Sequence, residues 1–176
     1  MTHELIFAGF GGQGILFSGK VIAYSAMNAD KEVSWLPSYG PEMRGGTANC
    51  HVIVSDSPVS SPLVTLPTVV AAMNKPSFEK FEASVKPGGV VIKDSTLIEA
   101  ENKRDDIKYF DIPATQIAMD MNASKLANMV IVGKIIKETG ILDIDKVIEG
   151  LTKMIPAKKA DLLELNKKAI MAGYNY

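Results

Sequence analysis

Glu4-Leu5-Ile6-Phe7-Ala8-Gly9-Phe10-Gly11-Gly12-Gln13-Gly14 is the stretch that decides the fold. A short apolar strand runs straight into a glycine-rich turn, and the turn opens a helix. In that helix Ile15, Gly19, Ile22, Ala23 and Ala26 recur at helical spacing and form one apolar face. Gly9, Gly11 and Gly14 match the G-x-G-x-x-G pattern. In that pattern the first glycine allows the tight turn, the second lets a ligand approach the backbone, and the third lets helix and strand pack closely. The unpaired N–H groups of the first helical turn, together with the helix dipole, favour an anion above them. The stretch therefore predicts a phosphate-binding βα unit. A glycine turn that serves only strand–helix packing is the alternative.

A dinucleotide site needs more. It wants an acidic residue at the end of the second strand, to hold a ribose hydroxyl. Here that strand reads Glu32-Val33-Ser34-Trp35-Leu36 and runs into Pro37-Ser38-Tyr39-Gly40. Asp30 and Glu32 precede or open the strand, so neither sits at its end, and ordinary NAD binding is disfavoured.

Composition narrows the class further. With 176 residues, one domain spanning 1–176 is expected, large enough to bury roughly 70% of its unfolded surface. Apolar residues make up 47% and charged residues 22%, as in ordinary globular proteins. The net charge of -1 provides no basic stripe for nucleic acid. No apolar run approaches the roughly 20 residues of a membrane helix, and no signal peptide precedes the first strand, so a cytoplasmic location is expected. The single cysteine, Cys50, can hold neither an iron–sulfur cluster nor an internal disulfide and reads as a buried, inert thiol. His3 and His51 have no partner at metal-ligand spacing, so no metal site is assigned.

Along the rest of the chain strands and helices alternate, which predicts a Rossmann-like three-layer α/β/α fold around a largely parallel sheet. Strands are expected at Ala48 to Val54, Thr68 to Met73, Val90 to Ile92 and Ile107 to Ile112. Pro76 suits the first turn of a helix carrying Phe78, Phe81 and Val85, closed by Lys86-Pro87-Gly88-Gly89. Leu126, Met129, Val130, Gly133 and Ile136 mark a long helix that Gly140 stops. Two helices within 143–173 end the chain, the second opened by an Asp161/Glu164 capping pair. The polar run Glu99 to Lys108 reads as a solvated loop.

A second constellation lies in Ser38-Tyr39-Gly40-Pro41-Glu42-Met43-Arg44-Gly45-Gly46-Thr47. Its glycines and proline exclude regular structure. In a doubly wound sheet, loops at the carboxyl ends of the strands share one crevice, so this segment is expected beside the glycine loop. Arg44 can grip a phosphate or carboxylate in a bidentate fork. Gly45 and Gly46 let a ligand or a neighbouring chain lie against the backbone. A structural turn with Arg44 and Glu42 paired at the surface is the plainer alternative.

Gly9-Phe10-Gly11-Gly12-Gln13-Gly14 followed by Tyr39-Gly40-Pro41-Glu42-Met43-Arg44-Gly45-Gly46 resembles the gamma subunit of 2-oxoacid:ferredoxin oxidoreductases. Met73-Asn74-Lys75-Pro76-Ser77, Lys86-Pro87-Gly88-Gly89, Pro113-Ala114-Thr115 and Ala127-Asn128-Met129 extend the likeness over nearly the whole chain, most closely to the 2-oxoglutarate and 2-ketoisovalerate types. The resemblance implies a part of an enzyme, inactive alone. Alpha, beta and delta-type partners would carry thiamine diphosphate, magnesium and [4Fe-4S] clusters, and ferredoxin would be met indirectly. This chain would help to hold coenzyme A. On that reading the backbone amides of Gly11, Gly12 and Gly14 cradle phosphate, with the Gln13 amide as an adaptable donor. Tyr39 and Arg44 close the crevice, and Gly45, Gly46 and Thr47 supply close contact. Asn128 either bonds within the core or points into the site. The small subunit of indolepyruvate:ferredoxin oxidoreductase and a free-standing nucleotide-binding protein are the alternatives.

Overall fold

Leu5 and Phe7 of the first strand join one apolar core, and Ile6 and Ala8 join another, so this strand lies inside a sheet covered on both faces. The computed structural model describes residues 1–40 and 46–176. Six strands, β1 (Thr2–Phe10), β2 (Glu32–Tyr39), β3 (Thr47–Ser55), β4 (Val69–Ala72), β5 (Val90–Asp94) and β6 (Lys108–Ile112), form one sheet in the order β2-β3-β1-β4-β5-β6. β1, β4, β5 and β6 are mutually parallel, as the strand–helix alternation predicts. β3 is the exception and runs antiparallel to both β1 and β2. Only residues 40–46 separate β2 from β3, and a parallel return would need a crossover of a dozen or more.

The larger core lies between the sheet and α1 (Ile15–Met27), α4 (Ala127–Thr139), α5 (Ile144–Met154) and α6 (Ala160–Asn175). α1 packs on β1, β2 and β3, and α4 packs on β5; α5 lies against α1, and α6 against α4. The opposite face is thinner. It is covered by α2 (Lys75–Phe81) and by the irregular segments carrying Val64, Ile98 and Ile107. No helix among the described residues is long and apolar enough to cross a membrane.

Several local expectations need correction. β2 continues through Pro37 to Tyr39 instead of stopping at Leu36. It is the edge strand, where a proline leaves no ladder donor unmatched on the open side. A short α3 (Ala114–Asp120) follows β6, and the sequence reading holds no helix there. Its first turn is fixed by the buried Asp94 carboxylate, which accepts bonds from the Thr115 hydroxyl at 2.6 Å and the Thr115 amide at 3.2 Å. Asp161 lies inside the first turn of α6 and does not cap it, and Glu164 pairs with Lys167 at 3.0 Å instead. The polar run 99–108 is mostly exposed, yet it is tied down. Lys93 Nζ donates to Ala100 O at 2.8 Å and Asn102 Oδ1 at 2.9 Å, and Arg104 donates to Val85 O at 2.6 Å.

Candidate functional site

β1 ends at Phe10, inside the glycine-rich stretch, and α1 starts at Ile15. Gly12 and Gly14 have φ of 99° and 74°, the left-handed region that a side chain rarely tolerates. Gly14 caps α1 with no side-chain acceptor, and no acidic residue occupies the first turn. The first amides of α1 therefore have no acceptor among the described residues. A pocket of about 350 Å³ opens above them. Gly11, Gly12, Gly14 and Ile15 line it together with Phe10, Leu16, Phe17, Tyr39, Thr47 and Ala48.

The glycines do different work from the pattern's usual assignment. Gly9 is still within β1, paired with Ala48, and a Cβ there would sit 2.5 Å from Gln13 Oε1. It makes room for Gln13 rather than for a turn. Gly14 packs against α4, not against a strand: a Cβ on it would lie 2.8 Å from Asn128 Cγ. Gln13 Oε1 accepts from Phe10 N at 2.7 Å, and its Nε2 donates to Met73 O at 2.8 Å, so both ends of this amide are engaged within the chain. Asn128 Nδ2 donates to Gly14 O at 3.1 Å; its Oδ1 is buried and has no partner among the described residues.

The described residues that flank the second loop lie beside the glycine turn. Phe10 pairs with Thr47, Tyr39 pairs with Ala48, and Gly11 N donates to Gly46 O at 2.8 Å. Tyr39 is 57% exposed at the pocket rim. The structure thus brings Gly11, Gly12, Gln13, Gly14, Tyr39, Gly46, Thr47 and Asn128 into one neighbourhood. Arg44 and Gly45 lie outside the described residues. Phe10 and Phe17 were missed by sequence reasoning. Phe17 falls off the buried stripe of α1 set by Ile15, Ser18, Gly19 and Ile22, and an aromatic residue on the solvent phase of a first turn is the signal that could have found it.

Chemically the described lining offers backbone N–H groups beside apolar and aromatic side chains. The described lining residues include no carboxylate, amine or imidazole. Cys50 lies beneath α1, fully buried, its thiol pushed up to about 12 by desolvation, partly offset by hydrogen bonds. His51 ties down a loop by accepting from Val64 N at 3.0 Å. No group of metal-binding side chains is found among the described residues.

Residues 4–176 match the family model described as pyruvate ferredoxin/flavodoxin oxidoreductase. The chain belongs to this family. The ketoisovalerate oxidoreductase subunit VorA of Methanothermobacter marburgensis is 34% identical over 170 residues, a match covering 96% of this chain and 35% of that one. The 2-oxoglutarate synthase subunit KorC of Methanocaldococcus jannaschii is 31% identical, with 95% and 92% covered. The chain therefore spans about a third of VorA and nearly the whole of KorC. Among solved structures, the gamma subunit of a keto/oxoacid ferredoxin oxidoreductase from Geobacter sulfurreducens superposes with a TM-score of 0.86 at 29% identity, covering 99% of this chain and 95% of that one. The 2-oxoglutarate:ferredoxin oxidoreductase of Magnetococcus marinus, solved with 2-oxoglutarate, coenzyme A and succinyl-CoA bound, gives 0.90 at 26% identity, covering 99% and 30%. In this member of the pyruvate ferredoxin/flavodoxin oxidoreductase family, the glycine loop, Tyr39 and Thr47 line one pocket.

Proposed function

We propose that this chain is the gamma subunit of a thiamine-diphosphate-dependent 2-oxoacid:ferredoxin oxidoreductase and supplies the coenzyme A side of the active-site crevice. In the reaction a 2-oxoacid and coenzyme A give acyl-CoA and carbon dioxide, and the two electrons released pass to ferredoxin. Thiamine diphosphate, magnesium and [4Fe-4S] clusters are assigned to alpha, beta and delta-type partner chains, since one cysteine cannot ligate a cluster.

One observation carries the reading: a helix start with no side-chain cap and no acidic residue in its first turn opens into a pocket lined by apolar and aromatic groups. Coenzyme A offers both matching parts, phosphates for the amides and flat or apolar groups for the rim. The amides of Gly11, Gly12 and Gly14 and the first turn of α1 meet phosphate. Tyr39 and Thr47 line one side; Arg44 is assigned, with Tyr39, to closing the crevice, and Gly45 and Gly46 to close backbone contact.

The test is recovery of this chain, affinity-tagged, from its own cells under anaerobic conditions. Co-recovery of a thiamine-diphosphate-binding chain and a cysteine-rich ferredoxin-like chain is expected, with coenzyme A-dependent ferredoxin reduction by the recovered complex. A lone chain that binds NAD(P) or flavin would overturn the assignment.

A further inference from the structure

Two side-chain amides grip the glycine loop from opposite sides. On the sheet side Gln13 folds back over Gly9, accepting from Phe10 N and donating to Met73 O. It thereby ties the turn to the carboxyl ends of both β1 and β4, which are themselves joined by Met73 N donating to Ala8 O at 2.9 Å. On the helix side Asn128, at the second position of α4 and 3% exposed, donates to Gly14 O. Its other atom, Oδ1, has no partner among the described residues.

We infer that Gln13 and Asn128 are positioning residues, holding the glycine loop and the first turn of α1 in the ligand-ready arrangement before coenzyme A arrives. The inference rests on the coenzyme A reading above. Three glycines in four residues would otherwise leave the loop with many conformations to lose on binding. First-turn amides serve an anion only when they converge on it. Gln13 and Asn128 fix the two ends of that turn, at Phe10 and at Gly14. Asn128 also carries a cost that a packing role would not need. A buried carbonyl with no donor among the described residues destabilises the fold, and an apolar residue of the same shape would avoid it.

The test uses the assembled complex carrying Gln13→Glu, Asn128→Leu or, as a control on the ligand site, Tyr39→Ala. Gln13→Glu keeps the acceptor for Phe10 N and turns an oxygen toward Met73 O. Asn128→Leu replaces the donor with a methyl group that cannot sit 3.1 Å from a carbonyl oxygen, so Gly14 must shift. Both are expected to raise KM for coenzyme A about tenfold, the scale of one lost hydrogen bond, with kcat and the KM for the 2-oxoacid unchanged. The melting temperature of Asn128→Leu is expected to change by no more than a few degrees, because loss of the bond to Gly14 O is offset by removal of a buried Oδ1 that has no partner among the described residues. In Gln13→Glu, protonation restores a donor, so the ratio of its KM to that of the wild type falls as the pH is lowered; neither Phe10 N nor Met73 O titrates. Unchanged KM in both variants beside a raised KM in Tyr39→Ala would overturn the positioning role and leave the coenzyme A reading standing. Unchanged KM in all three would overturn both. A raised KM that tracks a lowered melting temperature, with no pH response in Gln13→Glu, would reduce both residues to structural supports and overturn the inference.

Discussion

Gly133 of α4 and Gly173 of α6 face each other across a helix crossing with no side chain between the two backbones. A Cβ on Gly133 would run into Ile170 O, and a Cβ on Gly173 would run into Val130 O. α4 is held against α6 on this side and against the sheet on the other, and its first turn carries Asn128 to Gly14. The crossing thus sets the depth at which α4 meets the glycine loop.

Gly133→Ala tests that crossing. In a solvent-facing helix the change would stabilise by about 1 kcal/mol through propensity. Here the obstructing atoms are backbone of a second helix, which cannot swing aside as a side chain would. A loss of about 3 kcal/mol is expected from overpacking. Urea titration gives the sign, and a more stable variant would mean the helices do not approach this closely.

Tyr109→Phe addresses the tethered segment before β6. The Tyr109 hydroxyl donates to Glu82 Oε1 at 2.5 Å and accepts from Arg104 N at 3.2 Å, while the buried Glu82 receives one further bond from Lys103 N at 3.0 Å. Removing the hydroxyl leaves a buried carboxylate short of a donor and frees the Arg104 backbone. About 2 kcal/mol of stability should be lost. Limited proteolysis should then cut within 99–107 faster than in the wild type; an unchanged digestion pattern would show that the hydroxyl does not hold the segment.

Tyr39→Ala probes the rim of the pocket rather than the glycine loop. Tyr39 is at the open end of the edge strand and mostly exposed, so its loss should leave the melting temperature within a degree or two. In the assembled enzyme KM for coenzyme A should rise about five- to tenfold, the worth of one aromatic contact, with kcat retained. A kcat loss at unchanged KM would move Tyr39 from ligand binding to the chemistry or to assembly.

The parts of this fold that were legible in the sequence are those where one local pattern suffices. The apolar strand, the three spaced glycines and the stripe from Ile15 to Ala26 specify β1, the turn and α1 without reference to anything distant. The stripe from Met129 to Ile136, with Gly140 at φ 60°, does the same for α4. Direction of pairing is not local. Val52 and Val54 read as strand residues whichever way β3 runs, and only the shortness of the link at 40–46 betrays the antiparallel return. Gln13 and Asn128 stand in the same position. Both sequence motifs contain them, but that Gln13 reaches Met73 and Asn128 reaches Gly14 depends on contacts across 60 and 114 residues. α3 escaped because its start is fixed by Asp94, about twenty residues upstream, rather than by a capping residue of its own.

Cys50 supplies a pH dependence whose sign follows from its burial. Its thiol lies under α1, against Gly19, and desolvation pushes it from an ordinary value near 9.0 up to about 12. The folded chain therefore keeps its proton where the unfolded chain releases it. The stabilisation is fully present below about pH 9 and is lost as the pH rises toward 12, at up to about 1.4 kcal/mol per pH unit. Tyr109, also raised to about 12 by burial and by its bond to Glu82, acts in the same direction above pH 10. Cys50→Ala should start from a lower stability, because a core atom is missing, yet decline less steeply between pH 8 and 10. Urea midpoints of the two proteins measured across that range decide the matter. Parallel slopes would mean that the thiol is already ionised or exposed in the folded chain. Alkylation at pH 8 gives the same answer kinetically: Cys50 should react only at the rate of unfolding, and rapid labelling of the folded protein would place the thiol within reach of solvent.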